Sequence, residues 1–290
     1  MSDLKERIIE GFLGLNSILI IFILLAIFAF IGFTGVKFFF APEVSLGSFF
    51  LDTIWNPIAF GKARYGVLNL ILGTMFIAVG ALGISIPLGV ATATYLSEIA
   101  SERTKQILKP VFEMIAAIPS VVLGLFGLLI LAPLFANLFG LPNGLNAFTA
   151  SILVGFMALP TITSIAEDAI SSVPKSYKDA SSALGATKLE TIQNVTLPAA
   201  KSGIIASIML GFGRIIGETM VVSMIAGNVK GAPTNLFDPV RPMTANIAIE
   251  AQEVVQGSTH YQGLFAIGAL LFLITFGINT AADWIIHRGE

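Results

Sequence analysis

Between Met114 and Ala166 the chain carries no charged residue. A run of that length cannot be one helix, because about 20 apolar residues already cross the hydrocarbon core of a bilayer. It suits two, and Asn137, Pro142, Asn143 and Gly144 supply the turn chemistry that divides it. The spacing predicts a third span over 112–136 and a fourth over 148–168. The same reasoning places the first span at Gly11–Val36, the second at Tyr65–Ser97, the fifth at 200–228 and the sixth at 262–286. Gly11–Val36 is too long for a signal-peptide core and no small-residue cleavage site follows it, so it is expected to be a retained helix.

The expected fold is therefore an all-α membrane protein with six transmembrane helices. Residues 1–66 form an N-terminal helix and exterior loop, and 67–290 a core transmembrane domain. Composition agrees: 12% of residues are charged, against about 25% in soluble domains. A net charge of -2 argues against a nucleic-acid partner. With no cysteine there can be no disulfide, thiolate metal site or cysteine nucleophile. His260 and His287 lie outside or at the edge of the apolar runs, so no intramembrane histidine metal site is expected. Pro87, Pro119 and Pro160 read as packing kinks, and Trp55 and Trp284 as interfacial anchors. With the N-terminus inside, ten of the sixteen Lys and Arg residues, among them Lys5, Arg7 and Arg288, fall on the interior side. Five fall outside and one, Arg214, within a span. That bias predicts cytosolic termini and a cytosolic 171–200 loop.

This loop carries its own folding signals. Pro174 opens and Gly185 closes a short helix, following the proline-first, glycine-last asymmetry. Thr187 and Glu190 form a capping-box pattern that starts a second helix, which Pro198 is expected to end. Tyr177, Ala180 and Leu184 give the first helix a narrow apolar face. The result is a stiff elbow, suited either to a groove on a partner or to an interfacial hairpin.

The fifth span holds the chain's most unusual residues. Arg214 and Glu218 stand in the otherwise apolar GFGRIIGETMVVSMIAGN. A charge at that depth costs at least about 2.5 kcal/mol on insertion scales, which makes it a candidate functional site. Four apart on a continuous helix, the two would share a face and pair. Gly203, Ser207 and Gly211 precede them as a stripe of small residues, and Gly213 and Gly217 form a second small pair. Arginine suits an oxyanion because its planar fork donates two parallel hydrogen bonds and stays protonated. Glu218 could hold Arg214 oriented in an empty site or accept a proton-bearing substrate oxygen. The alternative is a desolvated ion pair that only fixes helix register.

Asp179-Ala180-Ser181, Gly185, Val195 and Leu197-Pro198 resemble the E-A-A-x3-G-x9-I-x-L-P loop of bacterial ABC-importer permeases, with Asp for Glu, Ser for Ala and Val for Ile. Gly213-Arg214-Ile215-Ile216-Gly217-Glu218-Thr219-Met220, Ala226-Gly227-Asn228 and PMTANIAIE (242–250) are similar to the PstC-type permeases of phosphate importers. The resemblance implies a MetI-like bundle in the bacterial or archaeal inner membrane. It implies substrate binding at Arg214, Glu218, Gly213 and Thr219, and ATPase coupling through Asp179, Ala180, Gly185, Leu197 and Pro198. It also implies a PstA-type permease partner, two PstB-type ATP-binding subunits and a PstS-type phosphate-binding protein. The chain would be no enzyme and hold no cofactor, ATP and Mg belonging to the partner ATPase. Permeases for sulfate, molybdate or phosphonate share the cytosolic loop and form the nearest alternative. An intramembrane hydrolase lacks its serine–histidine or paired-aspartate set here, and a channel would not need the elbow.

Overall fold

The computed structural model describes residues 2–58 and 62–288, with side chains over 9–58 and 62–284. The side chains of Lys5, Arg7, His287 and Arg288 lie outside the described ones. Helix α1 (Ser2–Phe38) contains a 30-residue apolar stretch with 6% of its most hydrophobic window buried. A helix apolar on all sides and so little covered by its own chain requires lipid as its solvent. It lies along the last helix, with Phe28 and Phe272 ring centroids 4.7 Å apart.

The stretch after α1, expected as an exterior loop, is a folded cap. It contains α2 (Leu46–Leu51) and an antiparallel pair, β1 (Trp55–Asn56) with β2 (Arg64–Tyr65). Phe38, Phe49, Trp55 and Tyr65 are all buried in it. Trp55 is thus no interfacial anchor: it is 1% exposed, packed edge-on against Tyr65. Trp284 stays 55% exposed near the end of the last helix.

The second span is α3 (Leu68–Thr94), ending in a widened π turn at Tyr95–Ile99. The hydrophilic segment beyond it is helical. In α4 (Glu102–Ala117) the Ser101 hydroxyl caps the first turn by accepting from the Thr104 N–H. Because α4 runs to Ala117, the third span starts later than the charge pattern suggested. It comprises α5 (Ser120–Phe126), a π turn at Gly127–Leu131 and α6 (Ala132–Phe139). Pro119 stands at the N-cap of α5, where its missing N–H breaks no helical bond, so it starts a helix rather than kinking one. Pro87 and Pro160 do lie inside α3 and α7 (Ala147–Ser171), the latter capped by Asn146.

After α7 come α8 (Lys175–Ala183), α9 (Lys188–Thr191), a π turn at Ile192–Thr196 and α10 (Leu197–Ala199). The chain then forms α11 (Lys201–Ile216), α12 (Met220–Ile225), α13 (Met243–Glu250) and α14 (Thr259–Arg288). Among the described residues five helices are long and apolar enough to cross a membrane. The count reaches six if the pair 188–199 and 201–216, bent by 69°, is taken as one span.

Helices α3, α7 and α11 form the core, and small residues set how closely they pack. A Cβ built on Gly155 of α7 would stand 2.9 Å from the Ala81 carbonyl oxygen and 3.2 Å from its Cα on α3. Both neighbours are backbone and cannot turn aside. Gly155→Ala is therefore expected to lower stability by about 1–3 kcal/mol through overpacking. Thermal unfolding in detergent measures this against Gly83→Ala, whose new methyl meets nothing within 4 Å. Equal melting temperatures for the two would refute this packing account.

Candidate functional site

The fifth span is broken where the sequence motif lies. Helix α11 ends at Ile216, and sixteen residues at 1.5 Å each give about 24 Å, less than the hydrocarbon thickness. Glu218 stands in the break and caps the start of α12: its Oε1 accepts the N–H groups of Thr219 and Val221, both at 3.1 Å. The Thr219 hydroxyl donates to the Gly217 carbonyl at 3.1 Å, and the Thr244 hydroxyl of α13 donates to the Glu218 carbonyl at 2.8 Å. Interrupted helices persist at membrane depth only where such partners satisfy the freed backbone groups.

This corrects the expected Arg214–Glu218 pair. Pairing at a spacing of four needs an unbroken helix, and the chain leaves helical geometry before Glu218. No ion pair joins them, and Arg214 makes no hydrogen bond or ion pair among the described residues. The small-residue stripe behaves as expected up to a point. A Cβ on Gly203 would reach Ala169, and one on Gly211 would reach Ile162, so the stripe packs on α7. It continues into Ile215, 3% exposed, rather than into Arg214.

Arg214 instead belongs to an open face. It is exposed, as are Gly217 and Leu210, and a Cβ on Gly213 would meet nothing within 4 Å. The Gly203–Ala169 and Gly211–Ile162 contacts fix its height: Arg214 stands opposite the middle of α7. A guanidinium at mid-depth facing lipid would be costly. That face is therefore one for protein or water.

Neither of the two cavities beside this span among the described residues suits an anion. The crevice lined by Thr74, Ile215, Glu218 and Thr244 encloses about 10 Å³, at the lower limit for one water. A much roomier cavity of about 480 Å³ lies between α4 and α7. It is lined by three carboxylates (Glu113, Glu167 and Asp168) against one lysine, Lys109, and so repels anions. The Glu167 carboxylate accepts from Lys109 and holds that ammonium above its usual lysine value.

The elbow forms largely as its caps dictate. Pro174 precedes α8, and Gly185 follows it at φ 88°, a left-handed conformation that favours glycine. The Thr187–Glu190 capping box is complete, with the Thr187 N–H donating to Glu190 Oε2 at 2.7 Å. Asp179 and Ala180 are exposed, and the apolar side chains have no cover: Tyr177 is 55% and Leu184 90% exposed. Leu197 and Pro198 differ from expectation. Pro198 lies inside α10, and the helix goes on to Ala199 before the 69° bend into α11. The preceding π turn, in which the Leu197 N–H reaches the Ile192 carbonyl, widens the backbone where the proline ring would otherwise clash.

One polar centre has no counterpart in the sequence reading. Glu250, ending α13, is 7% exposed and receives four donors. Trp55 Nε1 donates to Oε2 at 2.7 Å, and His260 Nε2 lies 2.8 Å from the same oxygen. Lys230 Nζ stands 2.9 Å and Arg241 Nη1 3.3 Å from Oε1. Burial raises the Glu250 carboxyl, but the Trp55, Lys230 and His260 contacts outweigh it and hold it below the usual glutamate value. The available signal was an acid closing an apolar segment, and nothing local names its partners.

The family model for the binding-protein-dependent transport system inner membrane component matches residues 85–288. The chain is 36% identical over 251 residues to the probable ABC transporter permease protein YqgH of Bacillus subtilis, covering 87% of this chain and 81% of that one. It is 37% identical over 248 residues to the phosphate transport system permease protein PstC of Haemophilus influenzae, covering 79% and 77%. Among solved structures it resembles a chain of the MetNI methionine ABC transporter, TM-score 0.57 at 20% identity, over 78% of this chain and 94% of that one. It also resembles a chain of a bacterial alginate ABC importer, TM-score 0.66 at 14% identity, over 98% of each. These two likenesses establish the fold.

Proposed function

We propose that this chain, which belongs to the family of binding-protein-dependent transport system inner membrane components, imports inorganic phosphate. The chain is a permease of an ABC importer and no enzyme, since ATP hydrolysis in such systems resides on a separate subunit. One observation carries the phosphate reading: an exposed guanidinium at mid-depth of the bundle with no partner among the described residues of its own chain. Arginine is the side chain best fitted to a tetrahedral oxyanion, and the relatives named as phosphate permeases favour that anion over its analogues.

The rest of the site follows from that face. Arg214 binds the anion, and Gly213 and Gly217 leave the backbone bare beside it. Glu218 and Thr219 hold the break in the fifth span that positions the arginine. A second, PstA-type permease covers the open face and completes the cavity. The exposed Tyr177 of α8 and Leu184 at its C-cap dock on a PstB-type ATPase, one of two, with Asp179, Ala180, Gly185, Leu197 and Pro198 shaping the elbow. A PstS-type protein delivers phosphate to the Glu250 end, and both termini face the cytosol. ATP-driven closure moves the elbow, and the cavity at Arg214 opens alternately to the two sides.

The test is uptake of radiolabelled phosphate by the reconstituted complex, in competition with sulfate, molybdate and phosphonates. Phosphate is expected to compete at least tenfold better than the others. Stronger competition by another oxyanion would reassign the substrate and leave the permease role in place.

A further inference from the structure

Helix α8 is held by more than the chain that leads into it. Lys178 Nζ stands 2.5 Å from Glu98 Oε1, in the π turn that ends α3, although the two residues are 80 apart in sequence. The Glu98 side chain is 9% exposed, so its carboxylate is nearly out of water and depends on that ammonium. The contact continues inward. Ser97, on the same π turn, shares a 3.1 Å hydrogen bond with Ser171 at the end of α7. The Ser171 hydroxyl donates to Glu167 Oε1 at 3.2 Å, and Glu167 Oε2 lies 2.6 Å from Lys109 Nζ of α4. A single string of polar contacts thus runs from α8 through the ends of α3 and α7 to α4.

The covalent chain already ties α8 to α7 on one side and, through α9 and α10, to α11 on the other. Only a side-chain contact can tie it directly to α3. That link matters because α3 and α7 are packed backbone to backbone at Gly155 and side chain to backbone at Gly89. A force applied at the α8 end of both helices moves them as one body, whereas a force on α7 alone shears a contact with no slack. The π turn at Tyr95–Ile99 adds an extra residue per turn at that point, a place where helices deform and where functional contacts concentrate.

We propose that Lys178 and Glu98 are a positioning pair for energy coupling, transferring the displacement of α8 to α3 while the Ser97–Ser171–Glu167–Lys109 string keeps α3, α7 and α4 in step. This rests on the reading of α8 as the ATPase-docking helix. Neither residue touches the transported anion. Their contribution is that each ATP hydrolysed turns the whole α3–α7 unit rather than α7 by itself.

The experiment compares phosphate moved per ATP hydrolysed in liposomes carrying the complete complex. The variants are Lys178→Ala, Glu98→Gln, Lys178→Arg and the exchanged pair Lys178→Glu with Glu98→Lys. Lys178→Ala and Glu98→Gln are expected to hydrolyse ATP within twofold of wild type while moving at least fivefold less phosphate per ATP. Lys178→Arg and the exchanged pair are expected to recover at least half of the wild-type ratio. Wild-type ratios in both single variants would overturn the proposal. Should the single variants fail to assemble, the exchanged pair decides: recovery of the ratio supports the link, and its absence overturns it. A wild-type complex whose ATPase does not bind this chain would instead remove the docking reading beneath it.

Discussion

Arg214→Gln is expected to abolish anion uptake while the assembled complex still hydrolyses ATP. The guanidinium faces no protein partner among the described residues of its own chain, so its removal strands no buried carboxylate and disturbs no cap. The whole penalty then falls on the transported anion. A hydrogen bond to a charged group is worth about 1.5–3 kcal/mol, and an arginine fork offers two in parallel. Their loss amounts to about 3–6 kcal/mol, on the order of 10² to 10⁴ in apparent affinity. Lysine keeps the charge but not the fork, so Arg214→Lys should fall between glutamine and wild type. Glu218→Gln provides the internal contrast: glutamine retains the oxygen that accepts the Thr219 and Val221 N–H groups, and most of the uptake should survive. Near-normal transport by Arg214→Gln would remove the arginine from the route. A Glu218→Gln loss as complete as that of Arg214→Gln would give the carboxylate a role beyond capping.

What the sequence discloses here divides by range. The spans are legible because a run without charge is a local property, and lipid demands it of every crossing helix. The elbow is legible for the same reason. Pro174, Gly185 and the Thr187–Glu190 box each act on backbone groups within a few residues, and each does so in the structure. Apart from Pro198, which the helix passes because of the π turn just before it, the errors arise where a distant residue decides the outcome. Gly213 and Gly217 read as a small pair inside one continuous helix, but the helix stops at Ile216, and the Glu218 carbonyl in the break beyond it is taken up by Thr244, 26 residues on. Trp55 reads as a membrane anchor because an indole suits a membrane interface, yet its N–H reaches Glu250, 195 residues away. Pro119 is an intermediate case: its location was plain, but whether it kinks a helix or starts one depended on how far α4 extended.

The second large effect is structural and lies at the opposite end of the bundle from the elbow. Glu250→Gln is expected to destabilise the folded chain by about 3–5 kcal/mol, the usual penalty for stranding buried charge. The amide keeps the shape of the side chain but leaves Lys230 and the 8%-exposed Arg241 without their shared carboxylate. It also weakens the side-chain tie between the β1–β2 cap, through Trp55, and α13, whose Thr244 holds the broken span. Trp55→Phe removes one donor and should cost less, about 1–3 kcal/mol. The pH dependence has a definite sign. The folded carboxyl titrates below its ordinary value, so its stabilisation is complete above the unfolded glutamate value of about 4.3 and drains away as pH falls through the depressed folded one. Thermal unfolding of the detergent-solubilised chain from pH 7 down to pH 3 should therefore show wild type losing its advantage over Glu250→Gln as the pH falls. A difference that stayed constant across that range would mean that the Glu250 charge is not what binds the cap to α13.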